Sequence, residues 1–139
     1  MLLSKLLSTK LIQVPVKANI IWDKKVASAP QFIVKTFLQP FWKFDQVVEE
    51  FYIPGSKLRL DLFNINKKIV VEISPDAYHT RFNKFLHRDN RHKFLAKVKA
   101  DESKRVWCTR NDIRLIELYD EDIKALSKEY ILEKYDISL

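Results

Sequence analysis

The sequence has few of the residues that build disulfide frameworks, zinc clusters or phosphate-binding loops. Among its 139 residues there is one cysteine, Cys108, and one glycine, Gly55. A single thiol excludes an intrachain disulfide framework and any zinc site made of several cysteines. A single glycine excludes the glycine-rich loops that cradle phosphates in many nucleotide-binding proteins. This cysteine usage is typical of a reducing compartment, so we expect a cytoplasmic protein.

Long apolar runs and internal repeats are also missing. The first ten residues resemble a short signal peptide only superficially, because Lys5 and Lys10 interrupt them and no cleavage pattern follows. No apolar run is long enough to span a membrane. Apolar residues make up 47% of the chain, which is enough to bury one core. We therefore predict a single domain over residues 28–139, preceded by an N-terminal extension over residues 1–27.

Positive charge is concentrated in one block of the sequence. The whole chain has a formal net charge of +7, with 25 Lys and Arg against 18 Asp and Glu. Positions 81–110 hold ten Lys or Arg and three Asp or Glu, so the excess in this block equals that of the whole chain. A solvated helix face could carry such charges, but this block directly follows a candidate carboxylate site. We therefore predict that it binds a polyanion.

The first half of the chain predicts one helix and a three-stranded meander. Residues 28–39 begin with Ser28 as a helix N-cap, and Pro40 is expected to end the helix. Residues 11–22 have a strand-like composition interrupted by a proline, which fits an extension or one or two short strands. The meander strands are predicted at 46–53, 57–65 and 69–73, and the short turn between the last two makes them antiparallel neighbours. Alternation in the second strand places its three leucines on one face and Asp61 on the other.

The second half predicts basic helices, a fourth strand and a final helix. Residues 83–110 indicate mainly helix, in two pieces that break near 99–101. A strand is predicted at 113–119 and a helix at 120–133. This order indicates an α/β or α+β fold, in which helices flank a mixed sheet of about four strands.

Two carboxylates in the meander are candidate metal ligands. Asp61 alternates with apolar residues, and Glu72 interrupts the otherwise apolar strand IVVEI. A buried carboxylate needs a partner. On adjacent antiparallel strands these two can meet at one end of the sheet, where they could hold Mg²⁺ or Mn²⁺ and leave room for water and a phosphate. The alternative is that they form surface ion pairs with Arg59 or Lys68.

Three further residues could complete such a site. His79 follows the third strand and could act as a general base or phosphate ligand, or could be a surface histidine on a loop. Asp101 and Lys104 lie three positions apart in a predicted helix, so they share a face. Taken alone, their spacing is more typical of a surface ion pair than of a catalytic pair.

The order of these motifs resembles the core of the PD-(D/E)xK, or restriction-endonuclease-like, superfamily. The run LRLDLFNINKKIVVEISPDAYH is similar to the branch that contains very-short-patch-repair-type endonucleases, DUF559-like nucleases and phage EDxHD homing endonucleases. The downstream run KADESKRVWCTRNDIRLIELYD resembles the helix with Asp-x-x-Lys and the strand of that branch, and SAPQFIVKTFL resembles its first helix. The resemblance covers roughly residues 28–122 and implies a restriction-endonuclease-like core.

The resemblance also implies roles for individual residues. Asp61 and Glu72 would ligate the metal, and His79 would position or activate water. Lys104, held by Asp101, would stabilise the negative charge that develops at the scissile phosphate.

Two positions depart from the pattern of the family. Gln31 stands where the first helix normally carries a catalytic Glu, and Ser74 stands where a Lys normally follows two residues after Glu72. Either Glu49 or Glu50 replaces the missing acid, or metal binding is weakened, or the sequence was altered.

The sequence thus predicts a Mg²⁺- or Mn²⁺-dependent endonuclease that acts on double-stranded DNA, of the homing or site-specific type. A double-strand cutter of this size needs two active sites and hence a homodimer, whereas a repair nickase can act as a monomer. The alternatives are a mismatch or repair nickase and a non-catalytic DNA-binding module on a decayed nuclease fold. The residues expected to contact DNA phosphates are Arg81, Lys84, Arg88, Arg91, Lys93 and Lys97.

Overall fold

The computed structural model describes a four-stranded mixed sheet with helices on both faces, a mixed α+β fold as predicted. The described residues are 1–8, 10–14, 19–25, 28–74 and 91–139. None of the helices in these ranges is long and apolar enough to cross a membrane. The elements in chain order are β1 (Leu2–Ser4), β2 (Leu11–Gln13), α1 (Ala29–Trp42), β3 (Val47–Tyr52), β4 (Arg59–Asn64), β5 (Ile69–Ile73), α2 (Arg91–Arg110), β6 (Arg114–Leu118), α3 (Asp120–Lys124) and α4 (Lys128–Tyr135).

The main sheet has the strand order β3-β4-β5-β6. The first three strands form the predicted antiparallel meander, and β6 lies parallel to β5. Two parallel strands need a crossover connection between them, and α2 lies within that connection. The sheet therefore brings two segments that are distant in sequence, the meander and the strand after the basic block, into adjacent positions.

One apolar layer covers the sheet on the side of α1 and α4. Val34, Leu38 and Trp42 of α1 are buried there against Leu62 and Val71 of the sheet. The spacing of the three α1 residues, four apart, places them on one face of the helix. This layer anchors α1 to the sheet along most of its length.

A second apolar layer covers the opposite face and is centred on Trp107 of α2. Trp107 is fully buried beside Phe51, Phe63 and Leu60. Its Nε1 donates a hydrogen bond to the carbonyl oxygen of Ser4 at 2.7 Å. The antiparallel hairpin of β1 and β2, of which β1 was not predicted, thus packs on the same core as the sheet.

The alternation predicted for β4 breaks at Asp61. Leu60 packs with Phe63 on the α2 side, whereas Leu62 packs on the α1 side, so the leucines do not share a face. In β3, Glu49 pairs with Leu62 and Phe51 pairs with Leu60. Glu50, between them, has a φ of 51°, which lies in the left-handed region. Such a conformation is unfavourable for a residue with a side chain, and here it accompanies a change of side-chain face in both strands.

Three predicted helix boundaries are wrong. Pro40 does not end α1, because burial of the Trp42 side chain outweighs the one backbone hydrogen bond that a proline cannot donate near a helix end. The break expected near 99–101 does not occur, since no Gly or Pro interrupts Arg91–Arg110. The last helix is divided into α3 and α4, because Ser127 caps a new helix.

A fully buried lysine ties the segment before α1 to the sheet. The Lys35 ammonium forms an ion pair with Glu49 of β3. It also donates hydrogen bonds to the carbonyl oxygens of Ile21 and Lys24, each at 3.0 Å. A buried ammonium needs such partners, and here they come from two separate parts of the chain.

We expect Lys35→Met to lower the free energy of unfolding by about 3 kcal/mol, because it leaves Glu49 without its cation and two carbonyls without their donor. Urea unfolding followed by tryptophan fluorescence measures the change. Arg59→Met is the matched control, since it removes an exposed ion pair with Glu50 and should change stability little. Equal unfolding midpoints for Lys35→Met and the parent chain would contradict this account.

Candidate active site

Strands β4 and β5 separate at the position of two carboxylates. Their backbone pairing reaches Leu62 and Val71 and stops before Asp61 and Glu72. Beyond that point the carboxylates accept the backbone hydrogen bonds. Glu72 Oε2 accepts from the Asp61 N–H at 3.1 Å, and Asp61 Oδ2 accepts from the Ile73 N–H at 2.8 Å. This reciprocal pair, called the strand fork below, brings together the two residues that the sequence predicted as metal ligands.

Lys104 of α2 lies over the strand fork. Its Nζ is 2.8 Å from Glu72 Oε1, and the two side chains are only 19% and 8% exposed. Trp107, three residues later, is buried in the core and so turns this side of α2 toward the sheet. The sequence predicted that Asp101 would hold Lys104, whereas the ion pair in the structure joins Lys104 to Glu72.

The pKa of Glu72 is raised to about 8. Burial is the largest cause, followed by the hydrogen bond with Asp61 and the charge of Asp61; the Lys104 ammonium lowers the pKa but does not cancel these effects. Two adjacent carboxylates in a desolvated position are costly to ionise together without further positive charge. The strand fork therefore favours an additional cation, either a proton or a metal ion.

The strand fork forms part of the wall of a cleft of about 280 Å³ between the sheet and α2. The lining combines carboxylates with several cations, an arrangement that suits a phosphate group together with its counter-ion. The charged lining residues are Lys57, Arg59, Asp61, Glu72, Lys97, Asp101, Lys104 and Glu117.

The sequence did not predict Glu117, which lines the cleft, or its partner Arg105. Glu117 of β6 pairs in register with Glu72 of β5. The Arg105 Nε donates to both Glu117 carboxylate oxygens, at 3.0 and 3.1 Å. The signal was present in the strands IVVEI and RLIEL, each of which has glutamate at its fourth position. Parallel pairing of these strands in that register places the two glutamates side by side.

Gln31 is not among the residues that line the cleft. It lies in the first turn of α1, which packs on the opposite face of the sheet from α2. Its side chain is buried, and its Nε2 has no hydrogen-bond partner within the described ranges. Neither Glu49 nor Glu50 is among the residues that line the cleft. Glu49 pairs with Lys35, and Glu50 pairs with Arg59.

The predicted DNA-contacting residues are described only in part. Arg91 and Lys93 are exposed at the start of α2, and Lys97 lines the cleft. Four predicted site residues lie outside the described ranges: His79, Arg81, Lys84 and Arg88.

The donor set for a metal at the strand fork consists of two carboxylates. Across the part of the chain that the structure describes, no group of three or more His, Cys, Asp or Glu side chains is arranged to hold a metal ion. Asp61 and Glu72 nevertheless supply the hard oxygen atoms that Mg²⁺ prefers, and Mg²⁺ commonly takes only one or two protein carboxylates beside water and phosphate oxygens. The raised pKa of Glu72 adds to this fit, because a divalent cation would relieve the repulsion between the two groups.

Comparison of the chain with protein-family models, curated proteins and solved structures found no match. The function is therefore inferred from the geometry and chemistry of the cleft.

We expect Glu72→Gln to stabilise the metal-free chain at high pH. A carboxyl group whose folded pKa of about 8 exceeds its ordinary value of 4.5 favours the folded state below pH 4.5, and this contribution is lost as the pH rises toward 8. Glutamine stays neutral at every pH. With EDTA present, the thermal unfolding midpoint of the variant should exceed that of the parent at about pH 9 and match it at about pH 4.

The control for this comparison is Glu117→Gln. It removes the carboxylate that Arg105 contacts and should lower the unfolding midpoint at about pH 9. A Glu72→Gln variant that is less stable than the parent at that pH would show that the folded chain favours the ionised form of Glu72.

Proposed function

We propose that the protein is a divalent-metal-dependent endonuclease that hydrolyses phosphodiester bonds of double-stranded DNA in the cytoplasm, on a fold of the restriction-endonuclease type. The observation that carries this proposal is the strand fork, where Asp61 and Glu72 lie together beneath Lys104 in a cleft lined by four basic and four acidic side chains. The order of helix, meander, basic segment, helix and strand supports it. A homing or site-specific enzyme is the form we favour.

The side chains at the strand fork divide the chemical work among them. Asp61, assisted by Glu72, would hold Mg²⁺ or Mn²⁺, which when bound supplies water activation and charge neutralisation. The two backbone hydrogen bonds fix both carboxylates before any ligand arrives, so little reorganisation is needed. Lys104 supplies fixed positive charge in the same cleft, where the pentacovalent phosphorus gains negative charge. In this proposal His79 positions or activates the attacking water.

The cations around the cleft would bind the DNA backbone. Lys57, Arg59 and Lys97 line the cleft, and Arg91 and Lys93 extend the positive surface along α2. Contacts between such side chains and phosphates give affinity that is mostly independent of sequence and that decreases with salt.

Supercoiled plasmid carrying the genomic neighbourhood of the coding sequence tests the proposed reaction. We expect nicked or linear product with Mg²⁺ or Mn²⁺ and none with EDTA. Asp61→Asn and Lys104→Met should each lower the rate by about 100-fold or more. The first weakens binding of the metal ion, and the second removes positive charge that stabilises the transition state. Lys128→Met, at the exposed start of α4, is the matched lysine control and should cleave like the parent chain.

Undiminished cleavage by Asp61→Asn would rule out the proposed site.

The burial of Gln31 away from the cleft gives weight to a second candidate, a DNA-binding module on a decayed nuclease fold. That candidate predicts no cleavage by the parent chain or by Gln31→Glu, together with salt-sensitive DNA binding. The ratio of nicked to linear product separates a repair nickase from a double-strand cutter.

DNA binding is tested separately in the Asp61→Asn background, which prevents cleavage. We expect the double substitution Lys57→Gln/Lys97→Gln to weaken binding. It should also make the plot of the logarithm of the binding constant against the logarithm of the salt concentration less steep by about 2, because each lysine neutralises about one phosphate. Fluorescence anisotropy with a labelled duplex measures both quantities. Lys124→Gln/Lys128→Gln removes the same charge from exposed positions in α3 and α4, and equal losses for the two pairs would contradict a specific role for the cleft.

A further inference from the structure

The face of α2 that points away from the cleft exposes apolar side chains. Leu95, Val98 and Val106 are 49%, 40% and 46% exposed, and Leu7 in the loop between β1 and β2 is 94% exposed. Together with Leu6 they line a groove of about 370 Å³ along the helix. Scattered exposed hydrophobic residues are ordinary, but a contiguous set of them along a groove marks an interaction surface.

The loop that forms the second wall of the groove is held in place by Arg110. The Arg110 Nη1 donates hydrogen bonds to the carbonyl oxygens of Leu6, at 2.8 Å, and Ser8, at 3.2 Å. These contacts fix the loop beside the last turn of α2. Leu7 is therefore held at a defined position in the wall of the groove.

The residues along the centre of this helix face are self-complementary. Leu95, Lys99, Glu102 and Val106 follow a spacing of four, three and four residues, which is the spacing of the positions that face the partner when two helices pair. These four residues are called the seam. Read in either direction, the seam has apolar residues at its ends and opposite charges at its centre. When two copies of α2 lie antiparallel, Leu95 of each faces Val106 of the other, and Lys99 of each faces Glu102 of the other.

We propose that this groove is the docking surface for a second copy of the chain, with the two α2 helices antiparallel about a twofold axis. Each apolar pair and each ion pair then forms twice, as a symmetric dimer interface requires. The charge complementarity of Lys99 and Glu102 selects this partner and fixes the register of the helices. The exposed Leu7 packs against the partner's Leu95.

This dimer leaves both clefts open. Lys104 lies on the opposite side of α2 from the seam, as its contact with Glu72 shows. The interface is built from one helix and one loop per copy, so it is small and we expect a reversible dimer. The inference stands on the α2 surface alone and does not depend on the proposed hydrolysis.

Sedimentation equilibrium of the full-length chain, without DNA, tests the dimer. Lys99→Glu and Glu102→Lys should each weaken self-association by about tenfold or more, because each places like charges opposite one another twice. Two observations separate this effect from general charge effects. The double variant Lys99→Glu/Glu102→Lys should recover self-association, and an equimolar mixture of the two single variants should associate as strongly as the parent chain.

Both substituted positions are exposed, so we expect neither substitution to disrupt folding. Circular dichroism measures whether each variant is folded. Lys99→Glu is the cleaner single variant, since Glu102 also contacts Arg105 at 3.3 Å. A parent chain that remains monomeric at about 0.5 mM overturns the proposal. So does a mixture of the single variants that associates no better than either one alone.

Discussion

The exchange of hydrogen bonds between two carboxylates and two backbone N–H groups is the constraint on which the rest of the structure depends. Backbone pairing of β4 and β5 ends where Asp61 and Glu72 begin, and their side chains replace the missing acceptors. The N–H groups of Asp61 and Ile73 thereby find acceptors, and both carboxylates line the cleft on the α2 side. The side-chain alternation of the neighbouring strand changes at the same level, at Glu50.

The charges on the α2 side of the sheet are balanced by consecutive residues of one helix. Glu72 and Glu117 lie side by side on parallel strands, and Lys104 and Arg105 contact them respectively. The balance is unequal, because Arg105 forms a multidentate contact with Glu117, whereas Lys104 must offset both burial and the charge of Asp61 at Glu72. The charge of Glu72 is therefore the less well compensated of the two, and the proposed metal site rests on this difference.

The sequence predicted the order of the main elements and the meeting of Asp61 with Glu72, because those depend on apolar periodicity and on a short turn between adjacent strands. It did not predict that the alternation in β4 would break, since a local change in strand conformation leaves no mark in the apolar pattern. The sequence also did not predict the pairing of Glu117 with Glu72. The two parallel strands are joined by a long crossover, and their register is set by how that crossover packs on the sheet. Pro40 was misjudged because tertiary burial of Trp42 outweighs a local helix-ending preference.

The strand fork has a consequence for how such a chain can diverge. Asp61 and Glu72 accept backbone hydrogen bonds of the sheet, so replacing either of them with a residue that has no side-chain acceptor carries a folding cost whether or not the chain is an enzyme. Lys104 completes no backbone pairing and contacts only Glu72 among the acids of the strand fork. In a set of related chains we expect the lysine to vary first, so its retention is the more informative sign of selection for the proposed function of the cleft.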